Sequence, residues 1–241
     1  MRAEAPETTR LTVIVPTLCD DGSLAQLLPE LGRLDAPPEE IIVADGVAGE
    51  DTAALCRRHG VRWLPSPAGR GLQLGAGVLA AREASVPGGA AQVLWFLHAD
   101  SRPHAGAAGA IRAAVRQGAA GGYFRFRFGG PAGALKSLLE RSIALRCRCG
   151  MVYGDQGIFA TREAYAAGPG FAAQPLFEEV PLVRYLKRTG RFVALDLPIT
   201  VDPRRWERDG YLRRTLHNRV LALGHLAGVS PVRLSHWYRA R

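Results

Sequence analysis

No apolar run in this 241-residue sequence approaches the roughly 18 residues that a membrane-spanning helix requires, so a spanning helix is not expected. Cysteine is scarce. Cys19, Cys56, Cys147 and Cys149 make one C-x-C and two isolated thiols. That spacing gives neither paired zinc ligands nor a disulfide framework, and it points to reduced thiols in a cytosolic protein. The polar start "MRAEAPETTR" runs directly into an apolar strand and shows no export leader. No block of about five like charges resembles a nucleic-acid tail, and no period of about 20–50 residues suggests a solenoid.

What is present is a globular composition. With 47% hydrophobic and 22% charged residues, the chain can bury a core, and its length suits one α/β domain. A formal charge of +9, much of it arginine, favours anionic partners: nucleic acid, an acidic membrane surface or a phosphorylated ligand. It is equally the expected outcome of an Ala/Arg/Gly-rich composition.

The first half reads as alternating strands and helices. "LTVIVPT" (11–17) and "EIIVADG" (40–46) are continuous apolar runs, as buried parallel strands are. "VRWLPSP" (61–67) is a short strand and "QVLWFLHADS" (92–101) a long one. Between them lie a helix at 23–34 with Ser23 as N-cap, one at 51–60, and a glycine-rich turn that becomes a helix over 68–84. An Ala-rich helix follows at 105–118. This order predicts a mostly parallel sheet with helices on both faces.

After Gly121 the pattern changes. "GGYFRFRFGG" alternates aromatics with arginine, the period of a half-exposed strand. Helices are expected at 132–148 and 177–190, a strand at 192–202, and one helix from Trp206 to about Gly228. In that last helix, Leu212, Leu216, Val220, Leu221 and Leu223 form an apolar face. No linker separates the halves, so one domain is expected: 11–120 as a nucleotide half, 121–208 as an acceptor half and 209–241 as a helical tail.

Chemistry is expected at the strand ends, where open parallel sheets bind ligands. Asp45 and Asp100 end separate strands and converge on one edge. Each alone could be a turn residue, but together with a glycine-rich turn they outline a cleft. That turn, "AGRGLQLGAG", is neither a dinucleotide fingerprint after the first strand nor a P-loop. Its glycines and Arg70 ahead of a helix still suit an anion.

"VIVPT", "IIVADG", "GRGLQLGAG", "LHADS", "YGDQGIF" and "FEEVPLVRYLKR" together resemble, in order and spacing, the family 2 glycosyltransferases of the GT-A fold. They resemble most the bacterial subgroup associated with radical-SAM or selenium-linked gene sets. The resemblance spans roughly residues 11–208. It implies a three-layer α/β/α sandwich, with Pro16 and Thr17 against the nucleotide and Asp45 with Gly46 at the base or ribose. It places Arg70 by the base or diphosphate. The family's metal-holding D-x-D reads His98-Ala99-Asp100 here. Asp100 would be the main ligand of Mg or Mn, and His98 either a second ligand or a satisfied polar residue.

The resemblance also implies a catalytic base at the second acid of a Glu-Asp pair, which reads Glu178-Glu179 here. Taken alone, the two acids equally complement a helix N-terminus. Gly154, Asp155 and Gln156 would border the acceptor pocket, although Gly154 and Asp155 also suit a local turn. "DPRRW" partly matches a Q-x-x-R-W element. Arg205 would lie by the diphosphate and Trp206 on the acceptor side.

The implied reaction is inverting sugar transfer from a nucleotide-diphosphate sugar to a hydroxyl, with Glu179 as general base. The cysteine usage leaves the cytoplasm as the expected setting, with peripheral contact at the inner membrane face and a lipid-linked acceptor as an extension drawn from the C-terminal segment. Trp237, Tyr238 and the arginines of "VRLSHWYRAR" suit such an interfacial anchor, and they equally suit a solvated tail. A nucleotidyltransferase is the rival enzyme class, but the acidic "PTLCDDGS" after the first strand lacks its phosphate loop. A nucleic-acid module is the non-catalytic rival. It would stack bases on Tyr123, Phe124, Phe126 and Phe128.

Overall fold

The computed structural model describes residues 9–81 and 91–239. The polar start 1–8, the end of the 68–84 helix at 82–84, and residues 240–241 lie outside these.

Four strands form the first half of the sheet: β1 (Thr9–Thr17), β2 (Glu40–Asp45), β3 (Arg62–Pro65) and β4 (Ala91–Phe96). They pair in parallel in the order β3-β2-β1-β4. β1 is central and nearly all buried, which is why it reads as one apolar run. Its side chains alternate between two cores. Leu11, Val13 and Val15 meet one set of helices, and Ile14 meets the other. The first layer holds α1 (Asp21–Gly32), α2 (Glu50–Arg58), α4 (Ala107–Arg116) and α5 (Ala134–Arg148). The opposite layer holds α3 (Arg70–Ala80) and α7 (Val180–Thr189). The fold is thus the expected α/β/α sandwich.

The second half of the sheet is mixed. β5 (Ser101–Pro103), β6 (Gly121–Phe128), β7 (Phe159–Thr161) and β8 (Phe192–Val201) extend it as β4-β7-β6-β8-β5. β6 and β8 are parallel, while β7 and β5 run antiparallel to their neighbours. A short α6 (Arg162–Ala166) follows β7, capped where Thr161 Oγ1 accepts from Ala164 N at 3.2 Å. In β6 the phenylalanines point inward and Arg125 and Arg127 outward. Phe124 lies 5.6 Å from Trp95, so these buried rings offer no platform for stacking bases.

Several element boundaries differ from the sequence expectation. The strand expected over 92–101 stops at Phe96. The chain then reverses, with Ser101 N donating to His98 O at 3.0 Å, and re-enters the far edge as β5. Asp100 therefore sits in a turn between two strands. Ser23 is not the N-cap of α1. Asp20 holds that position, and Ser23 Oγ donates to its Oδ1 at 2.7 Å. The helix expected from Phe177 starts only at Val180, because Phe177 has φ 60, a left-handed conformation that no helix continues through.

The C-terminal helix is three helices: α8 (Arg204–Asp209), α9 (Tyr211–Leu226) and α10 (Pro231–Arg239). Gly210 and Gly228, at φ 85 and 84, break them. The apolar face expected on α9 is not packed. Among its residues only Leu221 is buried, and Leu212, Leu216, Val220 and Leu223 face outward.

Two glycines fix how closely α3 approaches its neighbours. A Cβ on Gly77 would overlap Ile14 Cγ2 in β1. A Cβ on Gly71 would overlap Ala172 O and meet Glu178 Cβ at 3.2 Å, so this glycine seats the start of α3 against the loop before α7. Gly77→Ala should cost about 1–3 kcal/mol through overpacking. A thermal melt should show a drop of several degrees. An unchanged midpoint would contradict this helix–sheet contact.

Candidate active site

The carboxyl ends of β1 and β2 form the first wall. Asp45 is buried and its carboxylate shapes the following loop. Oδ1 accepts from Val47 N at 3.0 Å, and Oδ2 accepts from Gly49 N at 2.9 Å and Trp63 Nε1 at 3.2 Å. Gln73 of α3 locks this edge. Its Nε2 donates to Thr17 O at 2.6 Å and Ala44 O at 2.8 Å. Pro16 is buried beside Thr17, and Thr17 Oγ1 is buried without a partner. Gly46 leaves little room, since a Cβ there would meet Leu18 Cδ1 at 3.0 Å and Ala68 Cα at 3.2 Å.

The second wall is the turn after β4. His98 and Asp100 are half-buried. No hydrogen bond or ion pair within the described residues engages the Asp100 carboxylate. Burial pushes its pKa up, opposed by Arg205 and then, after a further push from Asp20, by Arg204 and Arg70. Burial, with Arg70 and Arg205 adding to it, holds His98 well below its ordinary value, so its imidazole is neutral near pH 7. Gly154 packs on that ring, and a Cβ there would meet His98 Nε2 at 2.8 Å.

The third wall is the entry to α7. Glu178 and Glu179 are 1% and 5% exposed. Arg70 Nη1 donates to Glu178 Oε1 at 3.1 Å, joining α3 to this loop across 108 residues of sequence. Burial works against the Arg70 charge, but Glu178 and Glu179 outweigh it and raise its pKa. Glu179 Oε1 accepts from Gly154 N at 3.3 Å, and Glu178 Oε2 is buried without a partner. Glu179 holds the N-cap position of α7 without a side-chain cap hydrogen bond. Burial first, and then Glu178, push Glu179 up to about 8.

Asp155 belongs to the same field. Burial raises its pKa, Arg146 and Arg70 oppose that, and Asp100 adds to it. Its Oδ1 has no partner. The structure thus gathers Arg70, His98, Asp100, Asp155, Glu178, Glu179 and Arg205 into one electrostatic neighbourhood. Two sequence candidates turn away from it. Gln156 is buried, with Oε1 accepting from Tyr153 N at 2.9 Å and Nε2 donating to Cys147 Sγ at 2.6 Å. Trp206 packs on Phe128 and Phe126, with centroids at 5.2 and 6.2 Å.

Five contributors escape the sequence reading. Gln73 is one, signalled only by an amide on an otherwise apolar helix face. Asp20 and Arg204 pair at 2.6 Å and close the rim between β1 and α8. Tyr238 OH accepts from Arg205 Nη1 at 3.4 Å. Phe177 is held between Tyr153, at 5.6 Å, and His225, at 4.5 Å. Its left-handed backbone, a strain on the order of 1–3 kcal/mol, aims the two glutamates inward.

A divalent cation fits this site only in company. Among the described residues no group of three His, Cys, Asp or Glu could hold a metal ion. Asp100 and neutral His98 would supply at most two donors, which leaves the rest of an ion's coordination to diphosphate oxygens and water.

No family model matches the sequence, and no curated protein matches it. Solved structures do. Glucosyl-3-phosphoglycerate synthase from Mycobacterium tuberculosis, in complex with Mn2+, UDP and glucosyl-3-phosphoglycerate, is 20% identical with a TM-score of 0.61, over 92% of this chain and 81% of that one. Staphylococcus aureus TarS (residues 1–349) is 15% identical at 0.60, over 80% and 61%. A mannosyltransferase from Pyrobaculum calidifontis, with GDP-Man and Mn2+, is 14% identical at 0.59, over 82% and 58%. The chain therefore spans under two thirds of the latter two. At these identities the likeness is one of fold, and the fold is that of the GT-A glycosyltransferases.

Glu179 sets a pH dependence of stability. Its folded pKa of about 8 lies above the ordinary 4.5, so folding takes up a proton between those values and stability falls as pH rises through that window. Glu179→Gln cannot ionise. Its melting temperature should exceed that of the wild type by a margin that opens above about pH 5 and levels off above about pH 8. A margin independent of pH would contradict the buried, proton-holding carboxylate.

Proposed function

We propose that this protein transfers a sugar from a nucleotide-diphosphate sugar to an acceptor hydroxyl, with inversion at the anomeric carbon. The observation that carries the proposal is Glu179: a buried carboxylate of raised proton affinity that accepts from Gly154 N, whose residue packs on the His98 ring of the strand-end turn, within a GT-A fold. The glycosyltransferases of this fold named above are seen with UDP or GDP-mannose and Mn2+, which supports a nucleotide-sugar donor and a divalent metal.

Each residue has a task. The edge of β1 and β2, from Pro16–Thr17 to Asp45–Gly46, takes the nucleoside, with Asp45 acting through the loop it shapes. Arg70 and Arg205 face the diphosphate and offset the charge that grows as it leaves. Asp100 and His98 would hold Mg2+ or Mn2+ against the diphosphate oxygens, and that ion supplies Lewis-acid charge there. Glu179 accepts the proton of the acceptor hydroxyl as the new C1–O bond forms and the C1–O bond to the diphosphate breaks. One base and one displacement give inversion. A carboxylate near pKa 8 is a stronger base than an ordinary one, and general-base catalysis is worth about 10²–10⁴ in rate. Glu178, paired with Arg70, positions Glu179. Asp155 and Gly154 border the acceptor side, while Gln156 and Trp206 brace it from behind.

We further assign residues 11–208 to one catalytic domain, donor half first, with 209–241 as a helical tail. A nucleotidyltransferase fits less well, because the loop after β1 presents Asp20, already paired with Arg204, in place of a phosphate cradle.

The test is a thermal-shift screen of UDP, GDP and their hexose conjugates, with and without Mn2+ or Mg2+. A ligand at 100 times its Kd stabilises by about 2.7 kcal/mol, a shift of roughly 5–10 °C at this size. One nucleotide should give a metal-dependent shift that Asp100→Ala abolishes. Glu179→Gln should keep the shift and lose about 10²–10⁴ in kcat. No shift with any member would overturn the proposal.

A further inference from the structure

The C-terminal helices carry a feature that sugar transfer does not use. α9 is amphipathic in the reverse sense for a helix in water. Leu212, Leu216, Val220, Leu223 and Leu226 recur at helical spacing and are 50–66% exposed. The opposite side holds buried Leu221 and inward-facing Arg214, which donates to Asp209 Oδ2 at 2.9 Å and Tyr238 OH at 2.6 Å. The stripe continues onto α5. Arg219 Nη2 donates to Ser142 Oγ at 2.9 Å, fixing the two helices side by side, and Leu138 and Leu145 are 61% and 62% exposed. Apolar surface of this extent marks an interaction site.

Charge identifies the occupant. From Gly210 to Arg241 the sequence has six arginines and no aspartate or glutamate. Arg213 lies at one border of the α9 stripe and Arg219 within it, and α10 exposes Arg233 beside Val232. Trp237 is 49% exposed on α10. A second copy of the chain would oppose two surfaces of the same sign. An anionic bilayer complements both the leucines and the arginines, and tryptophan suits its headgroup layer. No helix among the described residues is long and apolar enough to cross a membrane, so the contact lies in the interface plane.

We propose that α9, with α5 and α10 beside it, docks this protein on an anionic lipid surface. The helices that carry this face are tied to the candidate site by their opposite, inward side. His225 of α9 stacks on Phe177, the residue before the two glutamates, and Tyr238 of α10 receives Arg205. The proposal stands on the surface alone and survives if the donor screen fails.

Co-sedimentation of the full chain with vesicles tests it. Vesicles with a third phosphatidylglycerol should pellet the protein, and phosphatidylcholine alone should not. Leu216→Ser with Leu223→Ser should abolish pelleting while keeping the wild-type melt, since both side chains are exposed. Arg213→Gln and Arg233→Gln should each weaken partitioning about fivefold, an effect that high salt removes. Absence of pelleting, or pelleting that neither pair of substitutions alters, would overturn the proposal. So would indifference to vesicles together with a leucine-dependent dimer in sedimentation velocity, which would assign the face to a second copy.

Discussion

Glu178 and Glu179 are neighbours in the chain, both lie under the surface, and one guanidinium reaches them. Burying two carboxylates side by side is costly unless a cation and fixed dipoles compensate. Arg70 compensates Glu178, and a backbone N–H of the Gly154 turn meets Glu179. What remains is a site that retains a proton near neutrality. Much of the local structure exists to hold this arrangement. Gly71 lacks the Cβ that would push α3 away from Ala172, so Arg70 can reach across. Phe177 accepts a left-handed backbone because Tyr153 and His225 clamp its ring. The ion pair is also a tie between the two halves of the chain, which share one sheet without a linker.

The neighbouring turn uses the same physics with opposite sign. His98 stands where a first metal-side carboxylate would be expected, and its burial among arginines keeps it uncharged. A second carboxylate there would have joined Asp100, Asp155, Glu178 and Glu179 in one crowded field. The neutral ring offers a nitrogen donor without that repulsion. Arg70, Arg204 and Arg205 then leave the edge suited to an anion, while Asp100 is left unengaged among the described residues.

The first half of the fold was legible because β1 and β2 are buried on both faces and therefore continuous in sequence. The ends of elements were not. Nothing in "FLHADS" marks where a strand breaks to become β5, because the reversal depends on pairing with β8, a hundred residues on. The position of Glu179 was legible as a pair of acids, whereas its burial was not, since that depends on the backbone of Phe177. Asp45 and Asp100 looked equivalent as strand-end carboxylates, yet one is consumed by three donors and the other is unengaged. Gln156 and Trp206, expected on the acceptor side, have their side chains turned inward. The apolar face expected on α9 put Leu221 with four exposed residues, whereas Leu221 turns to the core and Leu212, Leu216, Val220 and Leu223 face outward; spacing alone does not say which way a residue faces.

The central claim is that burial and Glu178 together leave Glu179 as a base of raised proton affinity. Carbon NMR titration of protein labelled at the glutamate carboxyl carbon measures this directly. One resonance, absent in Glu179→Gln, should titrate near pH 8, well above the ordinary 4.5. If every glutamate resonance titrates in the ordinary carboxylate range, the buried pair is not the proton-accepting centre, and the account of the site is wrong.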